Sequence, residues 1–386
     1  MEYAPLQREY VKAKTAIVLL AYADYESLEL ALATHARYTV DSGLPIFILQ
    51  NGRGTYDTER TCAVGKRYEA LFPGTVRLVT HIPPQEPYTA IQKLLHDPLF
   101  AAYDYVIKLD DDVMTLTPDW VDKLIDCYVQ AYAQSGDRLA YVTSLVNNNP
   151  FGFKRLIESS DELSREYFAR LARPHRIGCG PEDSFNPYRL VAKEEIYDGG
   201  FGTIWQLPYV ARWLHEKTTL RPDDYIRLAR DLPTVQVDAN LRYSINCMLF
   251  AKGLWDDMRE GGGGDEHMLH AYCLLHKKEI YAVLSVPMVH LAFYSQREEI
   301  RDMMPKIREV YTAYLALPFP IAICGDRMIE IENRLRFMET NAPRARGAAG
   351  KKSLLKKLKG GIQCYREHGF AYTFHRGLVH LHLKGE

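Results

Sequence analysis

Three consecutive aspartates at the end of an apolar segment have the clearest chemical potential in this sequence. Residues 105–109 form the apolar segment, and Asp110, Asp111 and Asp112 follow it directly. A short run of this kind predicts a strand, and open α/β sheets bind ligands at the carboxyl ends of their strands. Because side chains alternate along a strand, Asp110 and Asp112 are expected on one face, where two carboxylates suit Mg²⁺ or Mn²⁺. Such an ion completes its shell with phosphate oxygens, so a diphosphate-bearing partner is predicted.

The same triplet also has an ordinary structural interpretation. Aspartate is favoured in turns and at helix N-termini, and a solvated acidic turn before a helix starting near Pro118 would use it in that way. The surrounding sequence must decide between the two.

Composition indicates a globular protein with an uneven distribution of charge. The chain has 386 residues, 47% of them hydrophobic, which is enough for one large core or two smaller ones. The formal net charge is −1, but six Lys and two Arg against two Glu lie from Lys351 onwards. Because the rest of the chain has no basic surplus, nucleic acid is not expected as a partner.

Cysteine usage and hydropathy indicate the compartment. The seven cysteines are widely spaced and include no Cys-x-x-Cys pair, so neither a disulfide framework nor a zinc site is predicted. The first residues lack a basic region followed by an apolar core, and no window of about 18 residues is continuously apolar. We therefore expect a cytoplasmic protein without a secretion signal or a membrane span.

Strand patterns alternate with helical patterns in the first part of the chain. Strands are predicted at residues 15–22, 45–52, 76–80, 106–109 and 139–145, and a helix at residues 25–39. This alternation predicts an α/β fold with a doubly wound, mostly parallel sheet. Four regions follow from it: residues 1–146, a helical insertion at 147–238 broken by prolines, residues 239–340, and a tail at 341–386.

The third region contains further candidate residues. A strand is predicted at residues 243–250 and a short helix at 254–259, followed by four glycines. Asp265 and Glu266 then open a helix, where its dipole favours acidic side chains. Two short strands are predicted at residues 280–284 and 287–291, with His290 near the end of the second. Taken singly, Asp265 and Glu266 are also compatible with an ordinary helix start, and His290 with an ordinary buried histidine.

Taken in order, these segments resemble the GT-A glycosyltransferases, particularly the bacterial family 2 type, over residues 14–294. Residues 109–112 match the Asp-x-Asp metal motif of that family, residues 118–124 are similar to the helix that follows it, and residues 244–255 resemble the segment beside the acceptor. The resemblance implies a GT-A-like fold. It also implies transfer of a sugar from a nucleotide-sugar to an acceptor hydroxyl, with Mn²⁺ or Mg²⁺ as cofactor, in bacterial surface glycan synthesis.

The resemblance implies a donor site formed by five residues. Ala21 and Tyr22 match the strand that cradles the nucleotide, Asn51 stands where the family often has a base-contacting aspartate, and Asp110 and Asp111 lie beside the diphosphate. The usual Pro-Thr-Tyr-Asn after the first strand is here Leu-Ala-Tyr-Ala-Asp, so the base that is bound stays open.

The resemblance also implies the metal ligands and the catalytic group. His290 corresponds to the late histidine that joins Asp110 and Asp112 on the ion. Asp265 aligns best with the base of an inverting displacement, and Glu266 competes for that role. Two other functions stay open, a non-catalytic sugar-nucleotide or glycan-binding module and a nucleotidyltransferase, although a nucleotidyltransferase normally has a Gly-rich, basic phosphate loop after the first strand.

The tail combines basic and apolar residues. Lysines alternate with leucines at residues 351–359, a pattern typical of segments that lie on anionic lipid, although a basic helix packed on the protein's own surface would look the same. We expect peripheral attachment to the inner face of a membrane, with a glycan or a lipid-linked molecule as the acceptor.

Overall fold

The computed structural model describes residues 6–22, 24–52, 55–171, 204, 208–237, 245–258, 264–292 and 298–321. The residues up to Ile321 form one compact unit. Several predicted segments lie outside the described residues: the basic tail, residues 172–203 and 205–207 of the predicted insertion, and the first three of the four glycines.

A single sheet of nine described strands organises this unit. The spatial order is β3-β2-β1-β4-β8-β6-β9-β5, and β7 also pairs with β9. The strands are β1 (Thr15–Ala21), β2 (Ile46–Gln50), β3 (Val76–Val79), β4 (Tyr105–Asp110), β5 (Val113–Thr115), β6 (Leu139–Val146), β7 (Thr234–Val237), β8 (Cys247–Ala251) and β9 (Glu279–His290).

Most strands of the sheet run in one direction. The strands β1 to β4 are parallel, and β8 runs antiparallel to both β4 and β6. Because β8 reverses direction between them, β6 is again parallel to β4, and β9 is parallel to β6. Only β5, β7 and β8 among the described strands run the other way. The predicted α/β class with a mostly parallel sheet is confirmed.

Helices cover both faces of the sheet. They are α1 (Arg8–Ala13), α2 (Tyr25–Tyr38), α3 (Thr55–Leu71), α4 (Pro87–Leu95), α5 (Trp120–Ser135), α6 (Pro150–Glu158), α7 (Asp161–Glu166), α8 (Pro208–Lys217), α9 (Pro222–Ala229), α10 (Gly253–Asp257), α11 (Asp265–Leu275) and α12 (Met304–Leu315). No helix among these residues is long and apolar enough to cross a bilayer.

The core has two layers, one on each face of the sheet. Along β1, Val18 and Leu20 belong to one apolar cluster, whereas Ile17 and Leu19 belong to the other. All seven residues of β1 are buried, as expected for a strand covered on both faces. This is why the predicted strands read as continuous apolar runs.

Three sequence predictions require correction. The two short strands predicted around residues 280–291 form one strand, β9, because an irregular register opposite Ser144 and Leu145 absorbs the intervening residues. The predicted insertion is not purely helical, since β7 lies within its described part. The helix after the aspartates begins at Trp120, so Pro118 precedes it.

The described part of residues 147–238 is attached to the sheet by a buried tyrosine. The hydroxyl of Tyr225, on α9, lies 2.6 Å from the carbonyl oxygen of Leu145 and 3.2 Å from that of Met288. It therefore ties α9 to both β6 and β9 near the ends of those strands.

Candidate metal and donor site

The chemically interesting side chains gather at one edge of the sheet. The parallel strands β1, β2, β4, β6 and β9 end there, whereas the antiparallel strand β8 begins there. Parallel strands place their carboxyl ends together, and open α/β sheets bind ligands at that edge. The residues that follow β4 and β6, precede β8 and end β9 therefore become neighbours.

Asp110, Asp112 and His290 form a cluster with the geometry of a metal site. One ligand atom from each residue lies within 4.8 Å of the others. The Nε2 atom of His290 is 3.3 Å from Oδ1 of Asp112. Two carboxylates and an imidazole on one side of a cavity are ligands that a divalent ion accepts, and the carboxylates suit Mn²⁺ or Mg²⁺. The residues predicted as ligands therefore fit the ion that the resemblance implies.

A short strand brings the ligands together. The chain turns after Asp110 and continues as β5, which pairs antiparallel with β9 so that Val113 lies opposite His290. The backbone N–H of Leu291 donates to the carbonyl of Asp112, and that of Ala292 donates to its carboxylate, each at 3.0 Å. Asp110 and Asp112 therefore converge through a turn and not, as predicted, along one face of a strand.

The ring of His290 is oriented by the loop after β6. Its Nδ1 atom lies 3.2 Å from the carbonyl oxygen of Asn148, and its backbone N–H donates to Oδ1 of Asn147 at 2.9 Å. Because a carbonyl can only accept, Nδ1 carries a proton, and Nε2 is the ring nitrogen that faces the carboxylates. A metal-binding histidine is commonly fixed in this way. Neither asparagine was predicted as functional, and the only signal was a polar triplet directly after a strand.

The sequence analysis also missed Lys108, which lies at the candidate site. It is 1% exposed in the middle of an apolar strand, and its ammonium donates to Asp110 and, at 3.1 Å, to the carbonyl of Ile245. Burial acts to lower the pKa of Lys108, but the carboxylates of Asp110, Asp265 and Glu266 together raise it. Lys108 therefore stays charged and fixes one oxygen of Asp110.

The other ligand pair is also held by opposite charges. Burial acts to raise the pKa of Asp112, but His290 and the backbone N–H of Ala292 together lower it. Burial acts to lower the pKa of His290, but Asp112 and Asp110 together raise it. Each group therefore stabilises the charged form of the other.

Asp111 and Asn51 hold the loops of the predicted donor site. Asp111 is buried, and its Oδ2 atom accepts from the backbone N–H of Tyr22 at 2.7 Å. The side chain of Asn51 donates to the carbonyl of Gln85 at 2.9 Å and accepts from its N–H at 2.8 Å. The backbone N–H of Asn51 also donates to the carbonyl of Ala21 at 2.7 Å. The side chain of Asn51 is thus bound to the backbone of Gln85.

Gly52 allows the ends of β1 and β2 to approach each other closely. A Cβ atom at this position would lie 2.3 Å from the carbonyl oxygen of Tyr22, which no ordinary contact permits. Tyr22 is 42% exposed beside this contact. The closely packed ends of β1 and β2, with the exposed side chain of Tyr22, therefore adjoin Asp111.

Asp265 and Glu266 lie within electrostatic range of the metal cluster. Asp265 follows Gly264, the N-cap of α11, and its Oδ1 accepts from the backbone N–H of Glu266 at 3.0 Å. Burial raises the pKa of Asp265, Lys108 acts against that rise, and Asp110 adds to it. Both acidic residues in turn act on the pKa of Lys108. The structure thus brings the predicted catalytic pair to the same edge of the sheet as the predicted ligands.

Comparison with known proteins gives matches at the level of structure only. No protein-family model and no curated protein matches the sequence. A mannosyltransferase from Pyrobaculum calidifontis, solved with GDP-Man and Mn²⁺, is 12% identical; the match covers 99% of this chain and 90% of that one, with a TM-score of 0.39. Glucosyl-3-phosphoglycerate synthase from Mycobacterium tuberculosis, solved with Mg²⁺ and uridine diphosphate, is 14% identical, with coverages of 83% and 87% and a TM-score of 0.34.

A third match is the bifunctional glycosyltransferase WbbM. It is 12% identical, with coverages of 78% of this chain and 50% of that one and a TM-score of 0.35. At such TM-scores the likeness identifies neither the substrate nor the mechanism of this chain, which must be argued from its own side chains.

Proposed function

We propose that this protein is a metal-dependent glycosyltransferase that moves a sugar from a nucleotide-sugar to an acceptor hydroxyl, with inversion at the anomeric carbon. One observation carries the proposal: Asp110, Asp112 and His290 converge at the edge of the sheet where α/β folds bind ligands. Two carboxylates and an imidazole whose ring is oriented by a backbone carbonyl form a set of ligands that a divalent ion accepts.

Asp110, Asp112 and His290 would hold the ion, Mn²⁺ or Mg²⁺. When bound, such an ion offsets the negative charge that develops on a departing nucleoside diphosphate. Lys108 donates to Asp110 and fixes its position, and the Asn148 carbonyl fixes the ring of His290, so that the ligands need little rearrangement.

The donor would lie along the ends of β1 and β2. Asp111 holds the backbone of Tyr22, and Asn51 holds both Ala21 and the loop at Gln85, so these residues shape the donor site through the backbone. The exposed ring of Tyr22 offers a surface on which a base can stack.

Asp265 is the residue that we assign as the catalytic base. A base must take a proton from the acceptor hydroxyl, and a carboxylate whose pKa is raised by burial is suited to that step near neutral pH. Glu266 is the alternative, since it is adjacent and also senses Lys108. The role in surface glycan synthesis, a lipid-linked acceptor and the membrane contact of the tail rest on the sequence alone.

Metal-dependent nucleotide binding tests the proposal. Calorimetric titration of the full chain with a panel of nucleoside diphosphates in Mn²⁺ should show binding of at least one of them, which EDTA abolishes. Asp112→Asn and His290→Ala should each weaken that binding by about tenfold or more, since each removes a ligand. His81→Ala, at an exposed histidine paired with Asp97, is the matched control and should bind as the wild type does.

Two results would contradict the proposal. Equal binding with and without EDTA would remove the metal site. Metal-dependent binding without release of nucleoside diphosphate from any nucleotide-sugar in the presence of acceptors would instead favour the non-catalytic binding module.

A further inference from the structure

Asn246 stands beside the metal cluster, yet nothing above assigns it a role. It directly precedes β8, and its carbonyl accepts from the backbone N–H of Asp110 at 3.2 Å. Because β8 runs antiparallel to β4, the start of β8 lies at the edge where β4 ends. The fold therefore places the Asn246 side chain, which is 4% exposed, next to the predicted ligands.

The amide nitrogen of Asn246 contacts two of the three predicted ligands. Its Nδ2 atom donates to Oδ2 of Asp110 at 2.8 Å and lies 3.3 Å from Nε2 of His290. The amide therefore donates to Asp110 and lies against the ring nitrogen of His290 that faces the cluster. Both side chains would bind an ion, and in this structure both lie against the N–H groups of Asn246 and not against its oxygen.

The amide oxygen of Asn246, unlike its nitrogen, lacks a hydrogen-bond partner among the described residues. This Oδ1 atom is buried. A buried acceptor without a donor is unfavourable, and buried polar atoms in folded proteins are nearly always paired. The oxygen and the NH₂ group of a side-chain amide are almost the same size, so rotation of the amide group by 180° would exchange their positions at little steric cost.

We propose that Asn246 is a fourth protein ligand of the divalent ion, binding through Oδ1 after its amide has turned by half a revolution. The inference rests on the proposed metal site. A cation at the cluster would face the N–H groups of the amide and be repelled by them, whereas the turned amide presents a carbonyl oxygen, a ligand that Mg²⁺ and Mn²⁺ accept.

The choice of an amide over a carboxylate follows from the local charge. Asp110 and Asp112 already balance a doubly charged ion, and Asp265 and Glu266 lie within electrostatic range of the same cluster. A neutral oxygen therefore adds a ligand without adding to the repulsion that must be overcome when the ion is absent. In the absence of the ion, the same side chain supplies a donor to Asp110.

Mn²⁺ binding followed by electron paramagnetic resonance tests this assignment without any assay of activity. The signal of the free ion gives the dissociation constant, and deuterium modulation of the spin echo in heavy water counts the water molecules bound to the ion. If Asn246 is a ligand, Asn246→Ala should bind Mn²⁺ about tenfold more weakly or worse, and should hold one more water than the wild type.

Three further variants make the result decisive. Asn246→Asp keeps the size of the side chain and always presents an oxygen, so it should bind Mn²⁺ at least as tightly as the wild type with an unchanged water count. This variant also serves if Asn246→Ala does not fold. Asn149→Ala removes a buried asparagine that caps α6, and should leave both quantities unchanged. Asp112→Asn should weaken binding whether or not Asn246 is a ligand.

The outcomes separate this inference from the proposed function. An unchanged water count in Asn246→Ala, with Mn²⁺ still bound, overturns the ligand assignment, whatever the change in affinity, and leaves the metal site intact. Failure of the wild type to bind Mn²⁺ overturns both. Weaker Mn²⁺ binding in Asn246→Asp than in the wild type also contradicts an oxygen ligand at this position.

Discussion

The buried ammonium of Lys108 donates to the carboxylate of Asp110, two residues further along the same strand. Alternate residues of a strand share a face, so β4 carries both members of this ion pair on one side. Lys108 is almost fully enclosed, whereas the Asp110 side chain is 27% exposed at the strand end. The strand therefore delivers a metal-binding carboxylate together with its own compensating charge.

Replacement of Lys108 by methionine should destabilise the protein. Methionine keeps most of the volume but leaves Asp110 without its cation, and breaking a buried ion pair from one side is costly. Because Asp110 is partly exposed, the free energy of unfolding in urea should fall by about 1–3 kcal/mol, below the range for fully buried pairs.

The control for this variant is Lys306→Met on α12. Lys306 pairs with Glu309 at 2.9 Å on the surface, where an ion pair contributes less than about 1 kcal/mol. Mn²⁺ should restore part of the stability of Lys108→Met, since a bound cation also compensates Asp110. Equal stability of the two variants would show that Lys108 does not compensate Asp110.

Gly52→Ala should disrupt the predicted donor site. The added Cβ would meet the carbonyl of Tyr22 at 2.3 Å, so the ends of β1 and β2 must move apart. We expect nucleoside diphosphate to bind about tenfold more weakly, and the free energy of unfolding to fall by about 1–3 kcal/mol, as is usual for overpacking. Gly253→Ala is the matched control, because a Cβ there has nothing within 4 Å. Unaltered nucleotide binding by Gly52→Ala would place the donor elsewhere.

Sequence patterns predicted most of the parallel half of the sheet. The strands β1, β2 and β4 were found to within a few residues because burial on both faces makes them almost continuously apolar. The strand β5 was missed because three residues carry no periodic signal. The predicted strand at residues 243–250 begins at Cys247 in the structure, so Asn246 directly precedes the strand and does not lie within it.

The residues that support the ligands could not be predicted in the same way. Lys108 and Asn246 are single polar residues within or beside apolar strands, and their importance comes from contacts with residues far away in the sequence. The three aspartates, by contrast, stand out locally, and the order of the motifs led to His290 and Asp265. Motifs therefore indicated the candidate residues, whereas the hydrogen bonds among them required three-dimensional structure.

Asp265→Asn should separate catalysis from donor binding. A base acts on the acceptor hydroxyl, so transfer should fall by about a hundredfold to ten-thousandfold while Mn²⁺-dependent nucleotide binding stays almost unchanged. Glu266→Gln is the control, and it should retain transfer. If Glu266→Gln is inactive and Asp265→Asn active, the base is Glu266; if both retain transfer, the proton is taken by another group.

The raised pKa of Asp265 predicts two dependences on pH. Transfer requires the ionised base, so kcat/KM should fall as the pH drops through a pKa that lies above the ordinary value of about 3.9 for aspartate. For stability the sign is opposite. A carboxyl whose pKa is raised by folding favours the folded state at low pH, and this contribution is lost as the pH rises through the raised pKa.

Asp265→Asn removes that loss of stability. The variant should therefore be more stable than the wild type at pH about 7, with the difference disappearing below the unfolded pKa of about 4. Urea denaturation of both proteins at several pH values measures the difference in the free energy of unfolding at neutral pH and its disappearance at low pH. A variant that is less stable than the wild type at neutral pH would mean that the Asp265 carboxylate is stabilised by its surroundings.

The pairing of β5 with β9 makes the metal site a late product of biosynthesis. The backbone of Ala292 donates to Asp112 across 180 residues of chain, and the His290 ring arrives with the same strand. A ribosome-bound chain that ends before β9 carries two aspartates but no third ligand, and loop closure of this length is slow. The full set of proposed ligands therefore exists only in chains whose sheet includes β9, so binding of an ion through all three would mark those chains.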